Sequence, residues 1–135
     1  MDDAFVGQLM SSPVLTIEPD TTAAAAGEAM LEGEIKSVVV IDADCYAEGI
    51  LTSTDFVAMA ADERDPTETT VGDYMTTDIV TTDAGASIAE VARAMDEHDI
   101  SHVPVVDAHD QVDGMITATD LTAYLSGFGE LAGER

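Results

Sequence analysis

Residues 49–55, Gly-Ile-Leu-Thr-Ser-Thr-Asp, recur 65 positions later as Gly-Met-Ile-Thr-Ala-Thr-Asp at residues 114–120. The same offset aligns residues 6–60 with residues 71–125 without a gap, and 18 of these 55 pairs are identical. A shared bias toward Ala and Asp raises such a count but does not produce an unbroken register. The chain is therefore a tandem duplication, divided into repeat 1 (residues 1–62), a linker (63–70), repeat 2 (71–126) and a tail (127–135).

Each repeat has the pattern of one small α+β unit with the order β-α-β-β-α. Thr21 or Thr22 in repeat 1 and Ser87 in repeat 2 are suited to cap the longer helix. β-branched runs predict central strands that end in Asp-rich turns and pair with the following strand as a hairpin. We predict short opening helices at 4–10 and 71–75, first strands at 14–16 and 79–81, long helices to about 34 and 99, hairpin strands at 38–41 with 48–52 and 103–106 with 113–117, and last helices from about 54 and 119. We expect the tail from Gly127 to fray.

A single repeat of about 55 residues has little core to bury. We therefore expect the two repeats to pack through their sheets about a pseudo-twofold axis. Such packing would create two equivalent clefts.

The charge of the chain is extreme, because 28 Asp and Glu face four Lys and Arg, for a formal net charge of −24. A field of this sign repels nucleic acids and anionic membranes. The carboxylates are spread over the whole chain, which favours adaptation to a high-salt cytoplasm, as in a halophilic archaeon, over a local docking face for a basic partner. The short apolar runs, the lack of a signal peptide and the single cysteine, Cys45, also predict a cytoplasmic protein.

The two heptapeptides resemble the strand-to-helix signature of CBS domains, named after cystathionine beta-synthase. The run His102-Val103-Pro104-Val105-Val106-Asp107 and the Met-Ser and Met-Thr pairs near the start of the repeats resemble the same family. The resemblance covers residues 5–126 and implies a stand-alone CBS pair, a Bateman-type regulatory module. In such modules the two clefts bind AMP, ADP, ATP, S-adenosylmethionine or related ligands, and no cofactor is required. The family also implies a homodimer, with Phe56, Met59, Leu121, Tyr124 and Leu125 as suitable contacts on the last helices.

The resemblance also implies which residues bind the ligand. The Thr of each Thr-x-x-Asp element reaches ribose or phosphate, and the Asp accepts hydrogen bonds from the two ribose hydroxyls. Backbone groups of the other repeat form hydrogen bonds with the edge of the adenine base. One cleft would join Thr52, Thr54 and Asp55 to Val80, Ile100, Ser101 and His102, and the other would join Thr117, Thr119 and Asp120 to Leu15, Ile35, Lys36 and Ser37.

Several alternatives remain open at this point. Asp55 and Asp120 are also suited simply to cap the last helices. An acidic scaffold that docks a partner protein without nucleotide is the alternative function. The three His residues have no zinc spacing, and Cys45 lacks a basic neighbour, so we predict neither a metal site nor a nucleophile. No nucleophile elbow or phosphate-binding loop occurs, and we predict that the chain is not an enzyme.

Overall fold

The computed structural model describes residues 4–12 and 14–133 and divides the chain into two compact units. One unit is Val14–Ile79, and the other combines Met1–Pro13 with Val80–Arg135. The short opening segment of repeat 1 therefore belongs to the same unit as most of repeat 2. Among the described residues, no helix combines the length and apolar character needed to cross a bilayer.

The unit Val14–Ile79 is a three-stranded sheet with two helices. Its elements are β1 (Thr16–Ile17), α2 (Ala23–Gly33), β2 (Ser37–Ile41), β3 (Ala47–Thr52) and α3 (Ser53–Ala61), followed by a short 3-10 turn at Val71–Asp73. The sheet order is β1-β2-β3, with β1 parallel and β3 antiparallel to β2. Its core consists of Ala23, Ala26, Met30, Val38, Val40, Leu51, Met59 and Val71.

The second unit has the same architecture. Its elements are α1 (Val6–Leu9), β4 (Thr82–Asp83), α4 (Ile88–His98), β5 (His102–Val106), β6 (Val112–Thr117) and α5 (Ala118–Gly133), and its sheet order is β4-β5-β6. Its core consists of Val6, Val91, Met95, Val103, Val105, Ile116 and Leu121. The α+β class, the long helices and the antiparallel hairpins are confirmed.

The predicted helix caps and Asp-rich turns are also present. The hydroxyls of Thr22 and Ser87 accept hydrogen bonds from the N–H groups of Ala25 and Glu90 at 3.2 and 3.1 Å. At the hairpin turns, Asp42 Oδ1 accepts two backbone N–H groups, and Asp107 Oδ1 does the same. These side chains satisfy donors that the turn would otherwise leave without a partner.

Several predicted boundaries were wrong. The first strands begin later, because Thr16 and Thr82 are the first residues that pair with β2 and β5. The opening helix of repeat 2 shortens to the 3-10 turn, and the last helices begin one residue earlier than expected, at Ser53 and Ala118. Residues 127–133 continue α5, while 134–135 lie outside the described part.

Two of the expected dimer contacts need correction, and part of the linker between the repeats is packed. Thr69 is buried, and its carbonyl accepts the N–H of Ala23, so the linker is part of the unit Val14–Ile79. Met59 and Leu121 are only 4% and 8% exposed, because each fills the core of its own unit. Neither side chain therefore offers surface to a second molecule, whereas Leu125 is 54% exposed.

Candidate functional site

Thr52 and Asp55 meet at the point where β3 passes into α3. Thr52 ends the strand and caps the helix, and its backbone N–H donates to Asp55 Oδ2 at 2.8 Å. The Thr52 hydroxyl lies 3.4 Å from the same oxygen. Within the described residues, Asp55 Oδ1 accepts no hydrogen bond. One carboxylate oxygen therefore holds the start of the helix while the other is available to a ligand.

Thr117 and Asp120 repeat this geometry where β6 passes into α5. The Thr117 N–H donates to Asp120 Oδ2 at 2.8 Å, and the Thr117 hydroxyl lies 3.1 Å from that oxygen. The Asp120 N–H also donates to the Thr117 hydroxyl at 3.2 Å, so the two residues cap the helix reciprocally. Oδ1 of Asp120 again accepts no hydrogen bond in the part of the chain that the structure describes.

The capping role of both carboxylates is thus observed, and it does not exclude a ligand contact. Each side chain is half-buried, and the Thr at the second position of each helix, Thr54 or Thr119, is exposed. Burial raises the pKa of the Asp55 carboxyl above its ordinary value, although the hydrogen bonds from Thr52 oppose this shift. The charged form has lost part of its hydration, which hydrogen-bond donors from a ligand would replace.

The starts of β2 and β5 lie directly beside these elements. Ser37 is opposite Thr52 in the sheet, and the Lys36 carbonyl accepts the Ser53 N–H at 3.1 Å. In the second unit His102 is opposite Thr117. The Ser101 carbonyl accepts the N–H of Ala118 at 2.9 Å. Residues 36–37 and 101–102 are therefore held at the first turn of α3 and α5.

Ile35 and Ile100 are placed by the ends of the preceding helices. Each donates its N–H back to a helix carbonyl, that of Met30 or Met95, at 3.0 Å. The residues before them, Glu34 and Asp99, adopt the left-handed conformation with φ of 55°. This pattern is the Schellman ending of a helix, and it directs the chain into the next strand.

The predicted backbone contacts at Leu15 and Val80 differ between the units. The Leu15 carbonyl accepts the Val39 N–H at 3.4 Å. The position equivalent to Val39 is Pro104, which has no N–H and sits in the central strand β5. Among the described residues the Val80 carbonyl consequently accepts no hydrogen bond. Pro104 thus leaves the Val80 carbonyl oxygen without a donor from β5.

The structure places the predicted residues in two sets, one in each unit. One set is Leu15, Ile35, Lys36, Ser37, Thr52, Thr54 and Asp55, and the other is Val80, Ile100, Ser101, His102, Thr117, Thr119 and Asp120. The combination of the Thr-x-x-Asp residues of one repeat with strand residues of the other stays a prediction from the family resemblance.

A groove that sequence reasoning missed lies beside Asp120. It measures about 480 Å³ and is lined by Ala4, Gln8, Leu9, Asp120, Ala123 and Tyr124. An apolar groove of about 370 Å³ shares Ala4 and Tyr124 with it. The segment around α1 that lines these grooves is distant in sequence from α5, and nothing in its local pattern indicates which helix it adjoins.

The glycine of each heptapeptide also has a role that the motif alone did not indicate. A Cβ on Gly49 would lie 2.7 Å from the Thr76 carbonyl oxygen, and one on Gly114 would lie 2.5 Å from that of Ser11. Both segments exchange backbone hydrogen bonds with the strand, one residue after the glycine. Glycine is therefore required for the close approach of these segments.

The remaining candidate groups lie in turns. The His109 N–H donates to Asp107, and Cys45 is exposed with φ of 70°. Among the described residues, no group of three or more His, Cys, Asp or Glu side chains is arranged to hold a metal ion.

A comparison with family models identifies two matches to the CBS domain, at residues 6–62 and 71–127. The chain belongs to the CBS domain family. Hypoxic response protein 1 of Mycobacterium tuberculosis is 32% identical to this CBS pair over 118 residues, which are 87% of the chain and 82% of that protein. The matched residues include both Thr-x-x-Asp elements.

Solved structures resemble the CBS pair as a whole. The CBS domain pair of protein MJ0100, in complex with 5′-methylthioadenosine and S-adenosyl-L-methionine, has a TM-score of 0.85 at 25% identity and covers 93% of this chain and 98% of that one. CBSX2 in complex with AMP has a TM-score of 0.78 at 23% identity, with 94% and 99% covered. The second likeness supports the fold alone.

Proposed function

We propose that this CBS pair is a regulatory module that binds an adenosyl ligand through its two Thr-x-x-Asp elements. The observation on which the proposal depends is the divided role of Asp55 and Asp120. Each carboxylate caps its helix with Oδ2 and leaves Oδ1 without a partner in the described part of the chain. The likeness to a CBS pair bound to 5′-methylthioadenosine and S-adenosyl-L-methionine supports an adenosine-containing ligand.

The chemistry of these groups fits the sugar of such a ligand. A ribose has two adjacent hydroxyls, and a carboxylate can accept hydrogen bonds from both. The exposed hydroxyls of Thr54 and Thr119 add donors at the start of each helix. We expect the strand residues, namely Leu15, Ile35, Lys36 and Ser37 with Val80, Ile100, Ser101 and His102, to contact the base and its substituents.

The free carbonyl of Val80 suits the base in particular. Adenine has an exocyclic amino group that donates hydrogen bonds. The Val80 carbonyl accepts none within the described residues, because Pro104 lacks the N–H that Val39 supplies to Leu15. We infer that it receives the adenine amino group. AMP, ADP, ATP, 5′-methylthioadenosine and S-adenosylmethionine all share this base and sugar.

The proposed role is regulatory and not catalytic. Binding that favours one arrangement of the module shifts its population toward that arrangement, and a partner protein responds to the change. We expect the module to form a homodimer through the exposed apolar parts of its helices, among them Val57 and Leu125, which are 68% and 54% exposed.

Replacement of Asp by Asn separates the capping role from the ligand role. An Asn oxygen still accepts the Thr52 or Thr117 N–H, so we expect Asp55→Asn and Asp120→Asn to fold normally. The remaining amide nitrogen donates and cannot accept the ribose hydroxyls. Calorimetric titration with 5′-methylthioadenosine and with AMP should therefore show at least about a tenfold loss of affinity at the altered site, the value of one lost hydrogen bond to a charged group.

The matched control is Asp96→Asn, which removes the same charge from the exposed surface of α4. It should bind like the unaltered protein. If the two site variants also bind like the unaltered protein, the carboxylates only cap helices and the acidic scaffold becomes the better explanation.

A further inference from the structure

The two repeats differ in charge at equivalent positions next to the Thr-x-x-Asp elements. Lys36 aligns with Ser101, and Ser37 aligns with His102. The carbonyls of Lys36 and Ser101 accept the N–H of the first residue of α3 and α5, at 3.1 and 2.9 Å. Duplication has therefore placed a lysine and a serine at the same point of two similar units.

Lys36 is exceptional in this chain because basic residues are scarce. Only four occur against 28 Asp and Glu. Arg64 forms an ion pair with Asp73 at 3.7 Å and lies over the Tyr74 ring. Arg93 lies on α4. Within the described residues Lys36 forms no ion pair, and its side chain is exposed. Its ammonium group is thus available to an anionic ligand.

The equivalent position in the second unit lacks such a charge. Ser101 is neutral, and its hydroxyl lies 3.1 Å from His102 Nδ1. Burial lowers the pKa of His102 below its ordinary value of 6.5, so the imidazole is neutral near pH 7. Neither Ser101 nor His102, the described residues at the start of β5, therefore carries a positive charge near pH 7.

We propose that the residues at positions 36 and 101 make the two sites prefer ligands of different charge. The site that includes Lys36 binds a phosphate-bearing adenosine nucleotide, and the site that includes Ser101 and His102 binds an adenosyl ligand without phosphate. This inference rests on the proposed function. A doubly charged phosphate is repelled by a protein of net charge −24 unless a nearby cation offsets that field. An adenosyl thioether is uncharged and an adenosyl sulfonium is a cation, so neither requires the lysine.

Reciprocal exchange of the two residues tests the proposal. The proteins are the unaltered chain, Lys36→Ser, Ser101→Lys and the double exchange, each freed of bound ligand by unfolding and refolding. Each is titrated calorimetrically with AMP and with 5′-methylthioadenosine at about pH 7.5, where His102 is neutral. The affinity for the uncharged ligand and the circular dichroism spectrum together report whether each variant is folded.

We expect Lys36→Ser to weaken AMP binding by about tenfold, as for loss of a charge-assisted hydrogen bond, and to leave 5′-methylthioadenosine binding within about twofold. Ser101→Lys should increase the affinity for AMP at the site that includes position 101. The double exchange should again have one AMP site, now the one that includes position 101. Equal changes for both ligands, or an unchanged AMP affinity in Lys36→Ser, would overturn the inference. If the unaltered protein binds neither ligand, the proposed function fails instead.

Discussion

Asp55 and Asp120 each cap a helix through Oδ2, whereas Oδ1 accepts no hydrogen bond from the residues that the structure describes. Removal of the carboxylate should therefore cost stability even without ligand. We expect Asp55→Ala and Asp120→Ala to lower the free energy of unfolding by about 0.5–2 kcal/mol, the usual value of a lost cap, and the Asn variants to lose less. Denaturant unfolding of the ligand-free proteins measures this. Equal stability of the Ala variants and the unaltered chain would show that the caps contribute nothing.

His102 should make the stability of the fold depend on pH. Because burial lowers its pKa in the folded state, the unfolded chain binds more protons than the folded chain as pH falls below the ordinary value of 6.5. Protonation therefore favours unfolding. We expect the unaltered protein to lose stability relative to His102→Gln between about pH 7.5 and pH 5.5. Both proteins contain the same carboxylates, so the difference between their stabilities removes the contribution of those groups to the pH dependence. A stability difference that is constant across this range would contradict the assignment.

At the scale of elements, the glycine of each heptapeptide should tolerate no side chain. A Cβ on Gly49 would lie 2.8 Å from Met75 Sδ as well as 2.7 Å from the Thr76 carbonyl. We expect Gly49→Ala and Gly114→Ala to destabilise the protein by about 1–3 kcal/mol, as for overpacking in general.

The matched control for these substitutions is Gly27→Ala within α2. Its nearest neighbour would be the Phe56 ring at 3.6 Å, an ordinary contact, and Ala favours a helix by up to about 1 kcal/mol over Gly. Thermal unfolding should show loss of stability for the strand variants and none for the control. If Gly49→Ala is as stable as Gly27→Ala, the close approach of residues 75–76 is not a constraint.

The elements that local sequence predicts well are those determined by their own residues. Thr22 and Ser87 cap helices because their hydroxyls reach the first turn, and Asp42 and Asp107 form turns because their carboxylates bind nearby N–H groups. The ends of the strands depend instead on which residues form hydrogen bonds with the neighbouring strand. Residues 79–81 have strand propensity, but Pro104 cannot donate to them, so pairing begins at Thr82.

At the scale of the whole molecule, the sequence indicated the duplication and the family but not the composition of each compact unit. Val6 and Val71 have equivalent apolar patterns, yet Val6 lies in the core with Val91, and Val71 lies in the core with Val38. The local sequence of a short apolar segment does not show which of two similar cores the segment packs into. The groove beside Asp120 could not be predicted for the same reason, since α1 forms one of its walls.

The charge of the whole chain should make its stability depend on salt. With a net charge of −24, repulsion among carboxylates opposes the compact state, and added salt screens this repulsion as the Debye length falls from about 10 Å at 0.1 M to about 3 Å at 1 M. We expect the unfolding temperature to rise by several degrees between 0.1 M and 2 M KCl. An unfolding temperature that is the same in both buffers would argue against adaptation to high salt.

The most direct measurement is a calorimetric titration of the refolded, ligand-free protein with 5′-methylthioadenosine and with AMP, repeated with Asp55→Asn, Asp120→Asn and the double variant. We predict binding by the unaltered protein, a loss of one site in each single variant, and none in the double variant, all with native circular dichroism. Undiminished binding by the folded double variant would contradict a role for these carboxylates in gripping the ribose.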